Sequence, residues 1–444
     1  MSNSIAWRNI RIERLSIPQG PSREPLLDVR GDSLESARVQ TLRGIACLLL
    51  VAFHTVGSTA ASGLHVPDDS PYREFTNLFV HVRMPLFTFL SGLVYAYRPL
   101  RAGHALQFSG KKLRRLGLPL IVASTLLYCL HFAMHHGVPP LPQMWTIYVF
   151  PYWHLWFVQA LLLVFAALVV LESLGALSTF TRFMLVFALS LGLYSYGPFE
   201  RQNIFGLHNA TYLLPFFLWG LGAHRYRDLL HLRRVLIATV LCFVVTQGFH
   251  TYIVLTRALA PIDPVENRSG MNLLIGLSAS LCALQLLPRV RLMEKIGGSS
   301  YAIYLYHPLF VAAVLFAAGA QVATSTSLLF VLASVAGIVG PMLMERGARQ
   351  IPGGQLLLEG RVASAVIPAD EVQSIGGRVP ADRIRRGPSR PGQAANRESA
   401  ATGKSDAALS VAPPGLEPPG RAPKKTAGAF APAIAPPGLE PGLS

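Results

Sequence analysis

Apolar residues gather in ten blocks, at about 42–60, 75–97, 116–133, 153–173, 180–197, 210–224, 234–255, 271–288, 301–320 and 326–345, divided by shorter polar connections. A helix needs about 20 apolar residues to cross a bilayer, and several of these blocks lie near the lower limit. The pattern predicts an all-α integral membrane protein of about ten transmembrane helices. Charge gives the count an independent test. With the N-terminus placed inside, the inner flanks hold Arg8 to Arg38, Arg98 to Arg115, Arg182, Arg225 to Arg234, Arg289 to Lys295, and Arg346 with Arg349. The outer flanks hold only Arg73, Arg83, Arg201, Arg257 and Arg268. That bias follows the positive-inside rule and puts both termini in the cytoplasm.

Three segments follow. Residues 1–41 are polar and Arg-rich with no early apolar core, so they read as a cytoplasmic N-terminal segment and not a cleavable signal. Residues 42–345 form the transmembrane domain. Residues 346–444 are rich in Pro, Gly, Ala and Arg and read as a disordered cytoplasmic tail, in which Pro413–Pro418 recurs as Pro436–Pro441.

Composition supports a multi-pass membrane protein, and the inner (plasma) membrane is the expected location. Hydrophobic residues make up 51% of the 444, and charged residues only 14%, where a soluble domain carries about 25%. The net charge of +16 would suggest nucleic acid in a soluble protein. Topology accounts for it here, and no nucleic-acid motif accompanies it. Cys47, Cys129, Cys242 and Cys282 all fall in apolar blocks without a CxxC pair and read as reduced, small hydrophobes.

Ionisable residues at membrane depth are expensive, and that singles out Arg43 and His54 in the first block. Eleven residues is close to three helical turns, so both side chains leave one face, roughly 16 Å apart along the axis. Arg43 then sits near the cytosolic surface and His54 deep. A buried histidine suits a general base near neutral pH, and an arginine at the rim can hold a phosphate. The alternative is an anchoring arginine and a histidine that bonds a neighbouring helix.

Four further stretches carry candidate chemistry. Lys111-Lys112-Leu113-Arg114-Arg115 opens the third block, where Lys112, Arg114 and Arg115 can hold an anionic cofactor or serve as a topology signal. Met84-Pro85-Leu86-Phe87 through Ser91-Gly92 offers small residues for close helix approach, with Arg83 just before it. Trp153-His154-Leu155-Trp156-Phe157 reads as an interfacial aromatic belt or, through Trp156, as a sugar-stacking mouth. His307 precedes Pro308, where it can support the site or satisfy a freed carbonyl. His131, His135 and His136 have helical spacing for a metal, yet no second histidine box or nearby carboxylate joins them, so no metal is expected.

Taken in order, these stretches resemble acyltransferase family 3, integral membrane O-acyltransferases of bacterial glycans. Leu42-Arg43-Gly44 with His54 resembles its Arg-x10-His motif. Met84-Pro85-Leu86-Phe87 to Gly92, the basic run into Pro119, His154 to Phe157, and Ser300-Tyr301 to His307-Pro308 follow in place. The resemblance covers about residues 38–345 and implies transfer of an acyl group, acetyl foremost, from acyl-CoA to a hydroxyl of a polysaccharide or glycolipid. Acyl-CoA is then a co-substrate with no permanently bound cofactor, and the partners are the glycan acceptor and the lipid bilayer, with no nucleic acid. It implies His54 and Arg43 as catalytic; Lys112, Arg114 and Arg115 are then expected to bind the donor, and the residues themselves offer Arg83, Ser91, Trp156 and His307 for the acceptor. The family's usual Arg-x-x-Arg is read here as Lys112-x-x-Arg115, and Gln40-Thr41 stand where an acidic residue often precedes Leu-Arg-Gly. A lipid-linked glycan flippase or transporter is the alternative, although no internal repeat supports it.

Overall fold

The computed structural model describes residues 29–133, 138–230, 232–256, 268–319 and 325–361. His135, His136 and Arg257 fall outside the described residues, as do the first 28 residues and everything from 362 on. Among the described residues the chain is all-helical, with no strand.

Each apolar block coincides with a helix. The elements are α1 (Val29–Val56), α2 (Pro71–Leu78), α3 (Val80–Tyr97), α4 (Ala105–Lys112), α5 (Leu118–Ala133), α6 (Trp156–Ser173) and α7 (Phe180–Tyr196). Then follow α8 (Leu207–Arg225), α9 (Arg233–Thr256), α10 (Gly270–Leu286), α11 (Arg291–Gly298), α12 (Ser300–Gly319), α13 (Thr326–Ala348) and α14 (Gly354–Glu359). Eight helical stretches are long and apolar enough to cross a membrane, while α7 and α10, 17 residues each, are shorter apolar helices.

Small residues set the tightest crossings. A Cβ on Gly92 would overlap the carbonyl of Phe217, and one on Gly220 would overlap that of Phe89, so α3 and α8 meet backbone to backbone at a reciprocal glycine pair. The expected small-residue contact in Ser91-Gly92 is therefore made by Gly92. Ser91 turns its hydroxyl back to the Phe87 carbonyl of its own helix at 2.9 Å. A second glycine crossing joins α1 to α11. A Cβ on Gly44 would overlap the Met293 carbonyl, and one on Gly297 would overlap that of Gln40. Gly44 follows Arg43 directly, so this crossing fixes the height of the arginine.

Between α4 and α5 the basic run forms a π-turn, Leu113–Gly117, which the N–H of Leu118 closes on the Leu113 carbonyl. Such turns are uncommon and recur at functional sites. The folded chain also continues past residue 346, into the region the sequence pattern assigns to the tail. Helix α13 runs to Ala348, and α14 packs against α5 with Glu359 buried.

Candidate functional site

Three imidazoles meet where α1 ends. His54 comes from the last turn of α1, His154 from the short 3-10 turn Trp153–Leu155, and His307 from α12. Ring centroids lie 4.9 Å apart for His54 and His307, 5.2 Å for His154 and His307, and 5.8 Å for His54 and His154. His154 is 6% exposed and His307 not exposed at all. Despite this gathering, no group of three His, Cys, Asp or Glu side chains among the described residues is placed to hold a metal ion.

Backbone carbonyls fix two of the three tautomers. Pro308 has no N–H for the carbonyl of Tyr304, four residues earlier. His307 Nδ1 lies 3.0 Å from that carbonyl and 2.8 Å from Ile303's, so Nδ1 carries the proton. His154 Nε2 donates to the Leu305 carbonyl at 3.2 Å, and the Tyr304 hydroxyl donates to the His154 carbonyl. In the neutral rings this leaves His307 Nε2 and His154 Nδ1 as buried acceptors with no hydrogen-bond partner. Of the two roles that its place before proline suggested, the carbonyl contact is present, and the ring also stands beside His54.

Two more local features complete the inner site. Trp153 sits at φ +47, a left-handed conformation uncommon for so large a residue, and this bend turns the following His154 inward. From α3, the Arg83 guanidinium lies 3.3 Å from the centroid of the Phe53 ring, next to His54, and is 4% exposed. Arg83 is close enough to act on the charge of both His54 and His81.

Three turns earlier on α1, midway along that helix, Arg43 gathers cations. Its charge neighbours include Arg115 and Arg361, and those of Lys112 include Arg115 and Arg43. Lys112 is held by aromatic faces, its Nζ 3.7 Å from the Phe165 centroid and 5.3 Å from that of Phe108. A cluster of like charges is unfavourable alone and forms a ready seat for a polyanion.

The structure therefore unites Arg43, Lys112 and Arg115 in one group, and His54, His307 and Arg83 about three turns away. It leaves three expected residues outside. Arg114 is exposed and absent from the charge neighbours of Arg43 and Lys112. Ser91 bonds its own helix. Trp156 packs edge-on against Phe157 and Tyr212 within the core, 9% exposed, and is no open mouth. Sequence reasoning missed His154, choosing Trp156 from the same stretch, because nothing local distinguishes an inward histidine from an interfacial one. It also missed Arg361, which lies beyond the apolar blocks. His131 meets the Tyr152 hydroxyl at 3.0 Å and the Trp153 ring.

A family model described as an acyltransferase domain, that of acyltransferase family 3, matches residues 37–346. Neither a curated protein nor a solved structure matches the chain.

Proposed function

The chain belongs to acyltransferase family 3, and on that premise we propose that it is a membrane-bound O-acyltransferase moving an acyl group, acetyl foremost, from acyl-CoA to a hydroxyl of a cell-surface or exported glycan. The observation that carries this reading is the arrangement of two groups about three turns apart on α1. One group offers Arg43, Lys112 and Arg115 to the phosphates of a cytosolic donor. The other offers an uncommitted imidazole, His54, among two rings of set tautomer.

The step balances within these residues. His54 takes the proton of the acceptor hydroxyl as the oxygen attacks the thioester carbonyl. The new C–O bond leaves a tetrahedral oxyanion, which the Arg83 charge stabilises. When the C–S bond breaks, the thiolate takes the proton from His54, and no net proton is consumed. His307 Nε2 and His154 Nδ1 are unpaired acceptors on the rings beside His54, so they face the positive charge that develops there without a carboxylate. A route through an acyl-histidine uses the same ring twice and gives a burst of free CoA before acceptor is consumed.

Ester analysis of the surface polysaccharide of a deletion strain, complemented with wild type or His54→Ala, tests the reading. Acyl esters missing in the deletion, restored by wild type and not by the variant at equal membrane abundance, are expected. Esters restored by His54→Ala contradict the role of His54. Loss of glycan export together with the esters would favour the lipid-linked glycan flippase.

A further inference from the structure

Residues 349–361 lie beyond the span matched by the family, yet they are built into the basic end of the bundle. Glu345, at the end of α13, and Glu359, at the end of α14, are 2% and 3% exposed. Arg349 Nη2 meets Glu345 Oε1 at 2.5 Å. Arg361 bridges the two carboxylates, its Nε 3.3 Å from Glu359 Oε2 and its Nη1 3.9 Å from Glu345 Oε1. The Tyr306 hydroxyl, one residue before His307, donates to the Leu358 carbonyl at 3.2 Å. Gly360, at φ +63, closes α14 with its N–H on the Leu356 carbonyl at 2.8 Å, and the Arg361 N–H reaches the Gln355 carbonyl at 3.2 Å.

Gly360 also makes the decisive contact with the π-turn. A Cβ there would overlap the Arg114 carbonyl and lie 2.6 Å from the Arg115 Cα. Residue 360 thus rests on the backbone that presents Arg115, and the next residue sets a guanidinium among the charge neighbours of Arg43.

We propose that residues 349–361 form a strap that completes the donor site, with Arg361 joining Arg43, Lys112 and Arg115 as a fourth cation for the phosphates of acyl-CoA. The carboxylates position Arg361 and do not silence it. A guanidinium has five N–H donors, and the two ion contacts occupy Nε and Nη1. Burial and the neighbouring Glu345 charge hold the Glu359 carboxyl above its usual range, against the opposing pull of Arg361.

The strap rests on the acyl-CoA reading, and one experiment separates the two. Free coenzyme A is titrated by calorimetry into the purified protein in nanodiscs. The proteins compared are the full chain, chains ending after residue 362 and after residue 348, Arg361→Ala, Arg361→Lys and, as a remote surface charge, Arg227→Ala. The full chain, the chain ending at 362 and Arg227→Ala are expected to bind alike. Arg361→Ala should bind about tenfold more weakly, the size of one lost charge-assisted contact, with part of the loss recovered by Arg361→Lys. The chain ending at 348 should lose at least as much. Equal binding by Arg361→Ala and the full chain overturns the strap and leaves the donor reading standing. A full chain that binds no coenzyme A overturns both. A variant that fails to fold is recognised by its loss of a monodisperse elution peak, and Arg361→Lys then decides alone. For Arg361→Lys, binding equal to wild type or tenfold and more below it overturns the proposal, and an intermediate loss supports it.

Discussion

In the proposed transfer, His54 is useful because its neighbours are already committed. His307 and His154 each give one ring proton to a backbone carbonyl, so both turn a lone pair, and not an N–H, toward the remaining contacts. Pro308 is the origin of half of this order. Pro308→Ala restores an N–H that competes with His307 Nδ1 for the Tyr304 carbonyl. Acyl transfer in that variant is expected to fall up to about tenfold, the worth of one hydrogen bond, with coenzyme A affinity unchanged. Turnover and binding measured on the same preparation check this, and a parallel loss of affinity would contradict it. The sequence made His54 and His307 legible because each interrupts an apolar block. His154 was hidden, since its inward course depends on the left-handed backbone at Trp153, which an aromatic run does not announce.

Among elements, backbone proximity sets what can change. Gly92 and Gly220 let α3, with Arg83, press against α8, and each would drive a Cβ into a carbonyl. Gly220→Ala is expected to destabilise by about 1–3 kcal/mol, the usual size of overpacking, seen as a lower melting temperature in detergent. Gly248→Ala on α9, where a Cβ meets nothing within 4 Å, should leave the melting temperature unchanged or slightly higher. Equal losses at both positions would argue against the crossing as the cause. At the basic end, Glu172 of α6 takes the Arg225 guanidinium of α8 and the Tyr95 hydroxyl of α3 at 3.1 Å, so one carboxylate ties three helices. The apolar blocks revealed every long helix because burial in lipid demands continuous apolar length. The pairing of helices was not legible, because glycine contacts depend on which faces meet.

For the molecule as a whole, two groups of polar side chains stand about three turns apart along α1. Cations from α1, α4, the π-turn and the segment after α13 gather about Arg43, and histidines from three elements meet about three turns away. The charge bias along the sequence anticipated the basic end, since cations cluster on the flanks of alternate blocks. Composition placed the end of the folded region near 345, whereas α14 extends it, because six residues with three leucines are too few to register as an apolar block. The central claim is that His54 moves the acceptor's proton while the basic end holds the donor. Its most direct test is single-turnover acyl transfer from acetyl-CoA to the isolated glycan by the purified protein in nanodiscs, wild type against His54→Ala, with coenzyme A affinity measured alongside. A rate about 10²–10⁴ lower in His54→Ala at unchanged affinity is expected, and a variant that transfers at the wild-type rate would contradict the role of His54.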